Sequence, residues 1–278
     1  MDFHDLDLRG ISIAFIAIPP SFKGQVSRNY VISFARRGIR MVSCEKSLFA
    51  YYPNYLDSVG HTAAVGGGSH LLPFLKEQVR ARYDVIVHII LNATLNFIMS
   101  SEKNIDEATM EAVGLHFAEP EAGGCLVTIN NEILDTALKT CIVANDCFLP
   151  ECIVESKLAL DPDDIKVDYL NEASLSRLEG QKRDRRYIVS FSRYKPNDDG
   201  KIGGFRFQTI NGWRISAGFK RLDSDPLFAK LIIPGANNAV LVSNEKGGNP
   251  CYLVGPGAGP EPTAIAMIQD AKRIFGIC

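Results

Sequence analysis

The feature that most limits how this chain can fold is the apolar run Ile11–Ile18 (ISIAFIAI), stopped by Pro19-Pro20. A short run of this kind, rich in isoleucine and not alternating with polar residues, reads as a strand buried on both faces. That is the habit of parallel sheets. Val26–Arg37 follows with helical spacing and stops at Gly38, a natural helix C-cap. Ile39–Ser43 reads as a second strand, Ser47–Leu56 as a helix and His61–Val65 as a third strand. This order predicts the α/β class, with a doubly wound parallel sheet.

Gly66-Gly67-Gly68 breaks the alternation. Beyond it the pattern predicts a helix over Leu71–Arg82, a strand over Tyr83–Leu91 and helices over Thr94–Ser100 and Ile105–His116, the last capped by Asn104. Asn131–Ala144 carries an apolar stripe through Ile133, Leu134, Ala137, Leu138, Cys141 and Ile142, the mark of an amphipathic helix. A short helix is expected at Asp168–Leu178. From Tyr187 the texture changes to antiparallel strands: Tyr187–Ser192, Phe205–Thr209, Trp213–Leu222, Ala239–Ser243 and Cys251–Val254. Turns at Asn197–Gly200 and Lys246–Asn249 join them, and a helix over Thr263–Phe275 closes the chain.

Composition excludes several classes. A net charge of -2 over 278 residues offers no electrostatic ground for nucleic acid or an anionic membrane surface. No apolar run reaches the ~18 residues of a membrane span. The acidic start MDFHDLDL is unlike a signal peptide. The seven cysteines form no Cys-x-x-Cys pair, and the five histidines stand apart from one another, so no metal site is expected. Reduced thiols and a cytoplasmic location follow.

The polar residues suggest a cleft. Asp135 and Lys139 share a helix face beside Leu134 and Leu138, although a surface ion pair gives the same spacing. Glu119 lies in an Ala-Glu-Pro loop, and Lys46 follows a parallel strand at the carboxyl edge, where open sheets bind ligands. Gly255-Pro-Gly257-Ala-Gly259 stands between strand and helix, as a dinucleotide loop would. Its third glycine position is Pro260, however, and no second strand is expected after it.

Taken in order, several motifs resemble homoserine dehydrogenase. Ala35–Ala50 (ARRGIRMVSCEKSLFA) is similar to the family's strand ending in Asn-Lys. Ala64–Gly68 (AVGGG) is similar to its Val-Gly-Gly-Gly turn, and Ile90–Ile98 (ILNATLNFI) to its Asn-Gly-Thr-Thr-Asn segment. Phe117–Pro120 (FAEP) resembles Tyr-x-Glu-Pro, and Glu132–Asn145 the helix with Asp and Lys four apart. Leu253–Thr263 (LVGPGAGPEPT) resembles the Gly-x-Gly-Ala-Gly turn.

The resemblance implies a remnant of a Rossmann-like sheet over 1–68, a catalytic and dimerisation domain with a mixed sheet over 69–259, and a helix at 260–276 packed back on the first part. It implies NAD(P) as cofactor, homoserine or aspartate semialdehyde as substrate, and a homodimer. Lys46 and Lys139 would handle the proton of the reacting oxygen. Glu119 and Asp135 would hold the ammonium and hydroxyl, and Thr94 would touch the substrate from the loop before its helix. Gly257 and Gly259 would face the nicotinamide.

Departures are also legible. The opening β-α-β of the nucleotide domain has no counterpart. Glu45, Ala93, Phe117 and Asn130 stand for the family's Asn, Gly, Tyr and Asp; Thr62 stands for the carboxylate behind a monovalent-cation turn; and the loop Glu121–Asn130 reads as longer. Two alternatives therefore stay open. One is a cofactor-independent enzyme running proton transfer, elimination, cyclisation or imine chemistry. The other is a non-catalytic dimeric homologue.

Overall fold

A computed structural model of the chain describes residues 7–19, 22–80, 85–149, 159–193, 201–206, 212–244 and 248–277. The turn expected at Asn197–Gly200, half of that at Lys246–Asn249, and parts of the strands expected at Tyr83–Leu91 and Phe205–Thr209 lie outside them.

The apolar run does form a strand, β1 (Ile13–Ile16), which pairs in parallel with β2 (Arg40–Ser43) through the crossover helix α1 (Gln25–Ala35). The third strand expected at His61–Val65 does not form. Parallel pairing is limited to one bridge, Val42 to Gly60, and the chain then tightens into a 3-10 turn at Thr62–Ala64. Asp270 explains this: its carboxylate accepts from Thr62 N at 2.7 Å and Thr62 Oγ1 at 2.8 Å. A side chain thus takes the backbone donor that a ladder would have used. Asp270 belongs to α9 (Pro260–Ile274), whose Ala266 and Met267 pack on Val42 and Ala63.

Helix α2 (Lys46–Tyr51) begins directly after β2 and is shorter than expected, because Tyr52 leaves the helical region ahead of Pro53. Its start is held twice. Glu45, buried, accepts from Ser47 N at 2.7 Å and Leu48 N at 2.9 Å as an N-cap. Gly24, with φ 76°, presses so closely that a Cβ there would come within 2.7 Å of the Ser47 and Leu48 backbone. Both contacts fix where Lys46 begins its turn. Replacing Glu45 by alanine should cost about 1–2 kcal/mol in a urea unfolding experiment at neutral pH, with both N–H groups left unpaired; no measurable loss would show that the cap is idle.

The larger sheet joins β3 (Ile86–Ile90), β4 (Val167–Asp168), β5 (Arg185–Ser192), β6 (Ile202–Arg206), β7 (Arg214–Arg221), β8 (Asn237–Ser243) and β9 (Cys251–Pro256). Their spatial order is β4-β6-β7-β5-β3-β8-β9, with every pairing antiparallel. One face meets helices α3 (Leu71–Arg80), α4 (Ala93–Ser100), α5 (Ile105–Gly114) and α6 (Gly124–Val143) in the main core. There Phe148 stacks on Phe191 at 4.2 Å and meets Trp213 edge-on at 4.8 Å.

Helix α6 begins at Gly124, so most of the loop expected at Glu121–Asn130 is helical. Gly123-Gly124 reads as a breaker, yet Gly124 (φ 70°) only launches the helix, and buried Ile129, Ile133, Ala137 and Cys141 run every fourth residue along it. A π turn at Ala144–Phe148 ends it. From that turn Asp146 bonds His61 Nε2 at 2.9 Å and Lys76 Nζ at 2.6 Å, tying α6 to the parallel layer. Helix α7 (Glu172–Glu179), capped by Asn171, starts later than expected because Asp168 belongs to β4. Helix α8 (Pro226–Leu231) seats Phe228 in a small cluster with Ile90, Ile188 and Leu241.

Candidate active site

A cleft of about 500 Å³ opens between the carboxyl edge of β2, helices α4 and α6, and the turn after β9. It is lined by every residue singled out in the sequence: Lys46, Thr94, Glu119, Asp135, Lys139, and Gly257 with Gly259.

Asp135 is its hub. Oδ1 is 2.8 Å from Lys46 Nζ, and Oδ2 is 2.7 Å from Lys139 Nζ. Lys46 and Lys139 are therefore joined through one carboxylate, although they lie on different helices far apart in sequence. The i,i+4 pair is no surface pair, for Lys139 keeps only 13% of its side chain exposed and Asp135 only 20%. Burial raises the Asp135 carboxyl, but the Lys139 and Lys46 ammoniums outweigh it and hold the group below the usual carboxylate range. The charge of Asp135 in turn raises Lys46 above an ordinary lysine, against the pull of desolvation.

Two further residues belong to the cluster, and sequence reasoning passed over both. Asn92 caps α4 by accepting from Leu95 N at 2.8 Å, which turns its amide nitrogen toward the carboxylates. Nδ2 donates to Glu132 Oε2 at 2.7 Å and to Asp135 Oδ2 at 3.3 Å. Glu132 precedes Asp135 by three positions and Lys139 by seven on the same helix. That spacing is a usable signal, since all three share a face. Burial, followed by the charge of Asp135, pushes the Glu132 carboxyl up to about 7.

Thr94 sits in the first turn of α4 rather than in the loop before it, because Asn92 already caps the helix. Its hydroxyl donates to the Phe117 carbonyl at 2.6 Å, which pins the loop carrying Glu119. The Phe117 ring meets Phe97 edge-on at 5.4 Å and also lines the cleft. Glu119 lines the cleft from this loop and is exposed. Asn130 faces away and clamps Leu170 through bonds of 2.8 and 3.0 Å.

On the opposite wall, bare backbone faces the cleft. Gly67, with φ 50°, lies so close to the Gly257 peptide that a Cβ would meet its carbonyl carbon at 3.4 Å. A Cβ on Gly257 would come within 2.2 Å of the Asn238 amide. A side chain is excluded at Gly257 by the Asn238 amide and disfavoured at Gly67 by its left-handed backbone, so this wall of the cleft is main chain.

The homoserine dehydrogenase family pattern matches residues 75–271, well over half of the chain. The chain belongs to the homoserine dehydrogenase family. It is 27% identical over 261 residues to homoserine dehydrogenase of Bacillus subtilis, covering 90% of this chain and 54% of that protein. Among solved structures, homoserine dehydrogenase from Thiobacillus denitrificans superposes with a TM-score of 0.66 at 23% identity, over 94% of this chain and 56% of that one. A hyperthermophilic archaeal homoserine dehydrogenase in complex with NADPH superposes with a TM-score of 0.57 at 19% identity, over 94% of this chain and 72% of that one. These likenesses agree with a small parallel sheet beside a larger antiparallel one. The chain spans about half the length of the homoserine dehydrogenases of Helicobacter pylori and Bacillus subtilis, 51% and 54%. Among the described residues, no helix is long and apolar enough to cross a membrane.

Proposed function

We propose that this chain carries the substrate-handling part of a homoserine dehydrogenase-type oxidoreductase, with aspartate semialdehyde and homoserine as the pair it interconverts. The observation that carries the reading is the Lys46–Asp135–Lys139 hub in a cleft walled by bare glycine backbone.

In the reducing direction the aldehyde oxygen gains negative charge and then a proton. Two ammoniums oriented by one carboxylate suit that demand. Lys139, the more buried of the two, is the donor to the oxygen, and Lys46, at 31% exposure, links the site to solvent. Asp135 positions both rather than touching the substrate, since each of its oxygens is already engaged. Thr94 acts through the Glu119 loop that it fastens.

Gly67, Gly257 and Gly259 fit the ring end of a nicotinamide, which would supply or accept the hydride. The fit stops there. The loop after β1 carries Pro19-Pro20 rather than a glycine-rich turn, so the two described parallel strands offer no such grip on a pyrophosphate. On this reading, residues 1–68 with α9 are a Rossmann-like nucleotide layer, and 69–259 form the catalytic part.

The test is direct. With saturating NADPH and aspartate semialdehyde, NADPH should be consumed at a rate proportional to protein, and NADPH or homoserine should raise the melting temperature. No consumption together with no thermal shift from either ligand would defeat the reading.

A further inference from the structure

Among the acidic side chains of the cleft that the roles above leave unused, Glu132 is the one withdrawn from solvent, whereas Glu119 and Glu121 are exposed. Glu132 lies one helical turn before Asp135, and its Oε2 accepts from Asn92 at 2.7 Å. Its Oε1 has no protein donor among the described residues and is not sealed from the cleft's open space. Asp135 is the opposite case, with Oδ1 on Lys46 and Oδ2 on Lys139. A third cation gains little from a carboxylate already matched twice. Glu132 is held by a neutral amide, is largely buried, and lacks a cation of its own.

We propose that Glu132 Oε1 receives the ammonium group of the substrate, so that this residue selects amino-bearing alcohols and aldehydes over their deaminated analogues. The assignment deepens the reading of the cleft as a site for an amino-acid-type alcohol and rests on it. It moves the ammonium from Asp135, whose oxygens are both engaged, and from exposed Glu119 to a half-buried carboxylate with an open oxygen, where water competes less. The high proton affinity of Glu132, about 7, agrees with a group waiting for a positive partner.

The groups facing Glu132 set its titration. Asp135 and Lys139 come from its own helix, and Lys46 from α2. Cys44 lines the cleft at the end of β2, and His116, Glu119 and Glu121 line it from the segment after α5. Of these, Asp135 opposes ionisation, and the two lysines favour it more weakly than burial resists. An incoming ammonium requires the ionised form, so binding expels a proton whenever the pH lies near or below 7. At pH 7 about half a proton should leave per site, and affinity should fall as pH drops further.

Carbon NMR of the Glu132 carboxyl in the intact chain reads this. Three probes separate the possibilities: homoserine, 3-aminopropanol, which lacks the carboxylate, and 4-hydroxybutanoate, which lacks the amine. Saturation with homoserine or 3-aminopropanol should lower the Glu132 titration by a pH unit or more, and 4-hydroxybutanoate should leave it in place. Glu132→Gln should lose tenfold or more in homoserine affinity at pH 8 and keep its affinity for 4-hydroxybutanoate. If calorimetry shows homoserine bound while Glu132 is unmoved, the ammonium assignment falls and the dehydrogenase reading stands. If 3-aminopropanol shifts Glu132 but homoserine does not bind, the assignment stands and the substrate reading falls. If neither amine moves the carboxyl, the assignment is overturned.

Discussion

Replacing Asp135 by asparagine should destabilise the protein by about 3–5 kcal/mol at pH 7, the size expected when one partner of a buried charge cluster is removed. The substitution keeps the shape and removes the charge. Lys46 and Lys139 then face each other across a neutral amide, with 31% and 13% of their side chains exposed. Glu132 softens the blow, since loss of its like-charged neighbour lets it ionise. Adding Glu132→Gln to Asp135→Asn should therefore cost more than the sum of the two single changes. The pH dependence has a definite sign. Asp135 has a depressed folded pKa, so its contribution is complete above the unfolded aspartate value of about 3.9 and drains away as pH falls below it. Urea unfolding from pH 8 to pH 3 should show the gap between wild type and variant narrowing only at the acid end. A constant gap of a few tenths of a kcal/mol would mean that the three groups are no more than a surface pair.

The second large effect concerns chemistry. Lys139→Met should lower kcat for aldehyde reduction by about 10²–10⁴, the usual worth of a positioned proton donor. KM should change little, because the lysine acts on an oxygen whose charge develops during reduction. Stability should suffer less than in Asp135→Asn, since Asp135 keeps Lys46 at 2.8 Å and methionine fills the apolar wall beside Leu138. Lys46→Met should show a smaller loss, steepest where solvent must return the proton. A kcat within threefold of wild type for Lys139→Met would remove it from the reaction.

What could be read from the sequence divides along physical lines. Ile11–Ile18 was legible as a parallel strand, but the burial on both faces that its apolar run suggests does not hold, for Ile16 is buried while Ile11 and Phe15 stay about half exposed. Asp135 and Lys139 were legible as neighbours because four residues return a helix to the same face. That Lys46 joins them is a long-range fact which local pattern does not encode; the resemblance carried it. His61–Val65 misled because the group that diverts it, Asp270, is 208 residues away from Thr62. The early start of α6 was hidden by Gly123-Gly124, whose usual meaning is a break. Glu132 was in view, on the face of Asp135 and Lys139, but only its desolvation marks it as more than another helix-surface acid, and desolvation belongs to the folded state. The seven-stranded order was not legible, because antiparallel strands of similar texture do not announce their neighbours.

The decisive measurement is a crystal structure of the protein soaked with homoserine and NADP. The account predicts the homoserine hydroxyl oxygen roughly 3 Å from the ammonium of Lys139, with Lys46 still on the far side of Asp135 and the nicotinamide against Gly257. Homoserine bound outside this cleft, or the two lysines pulled apart with Asp135 turned to solvent, would contradict it.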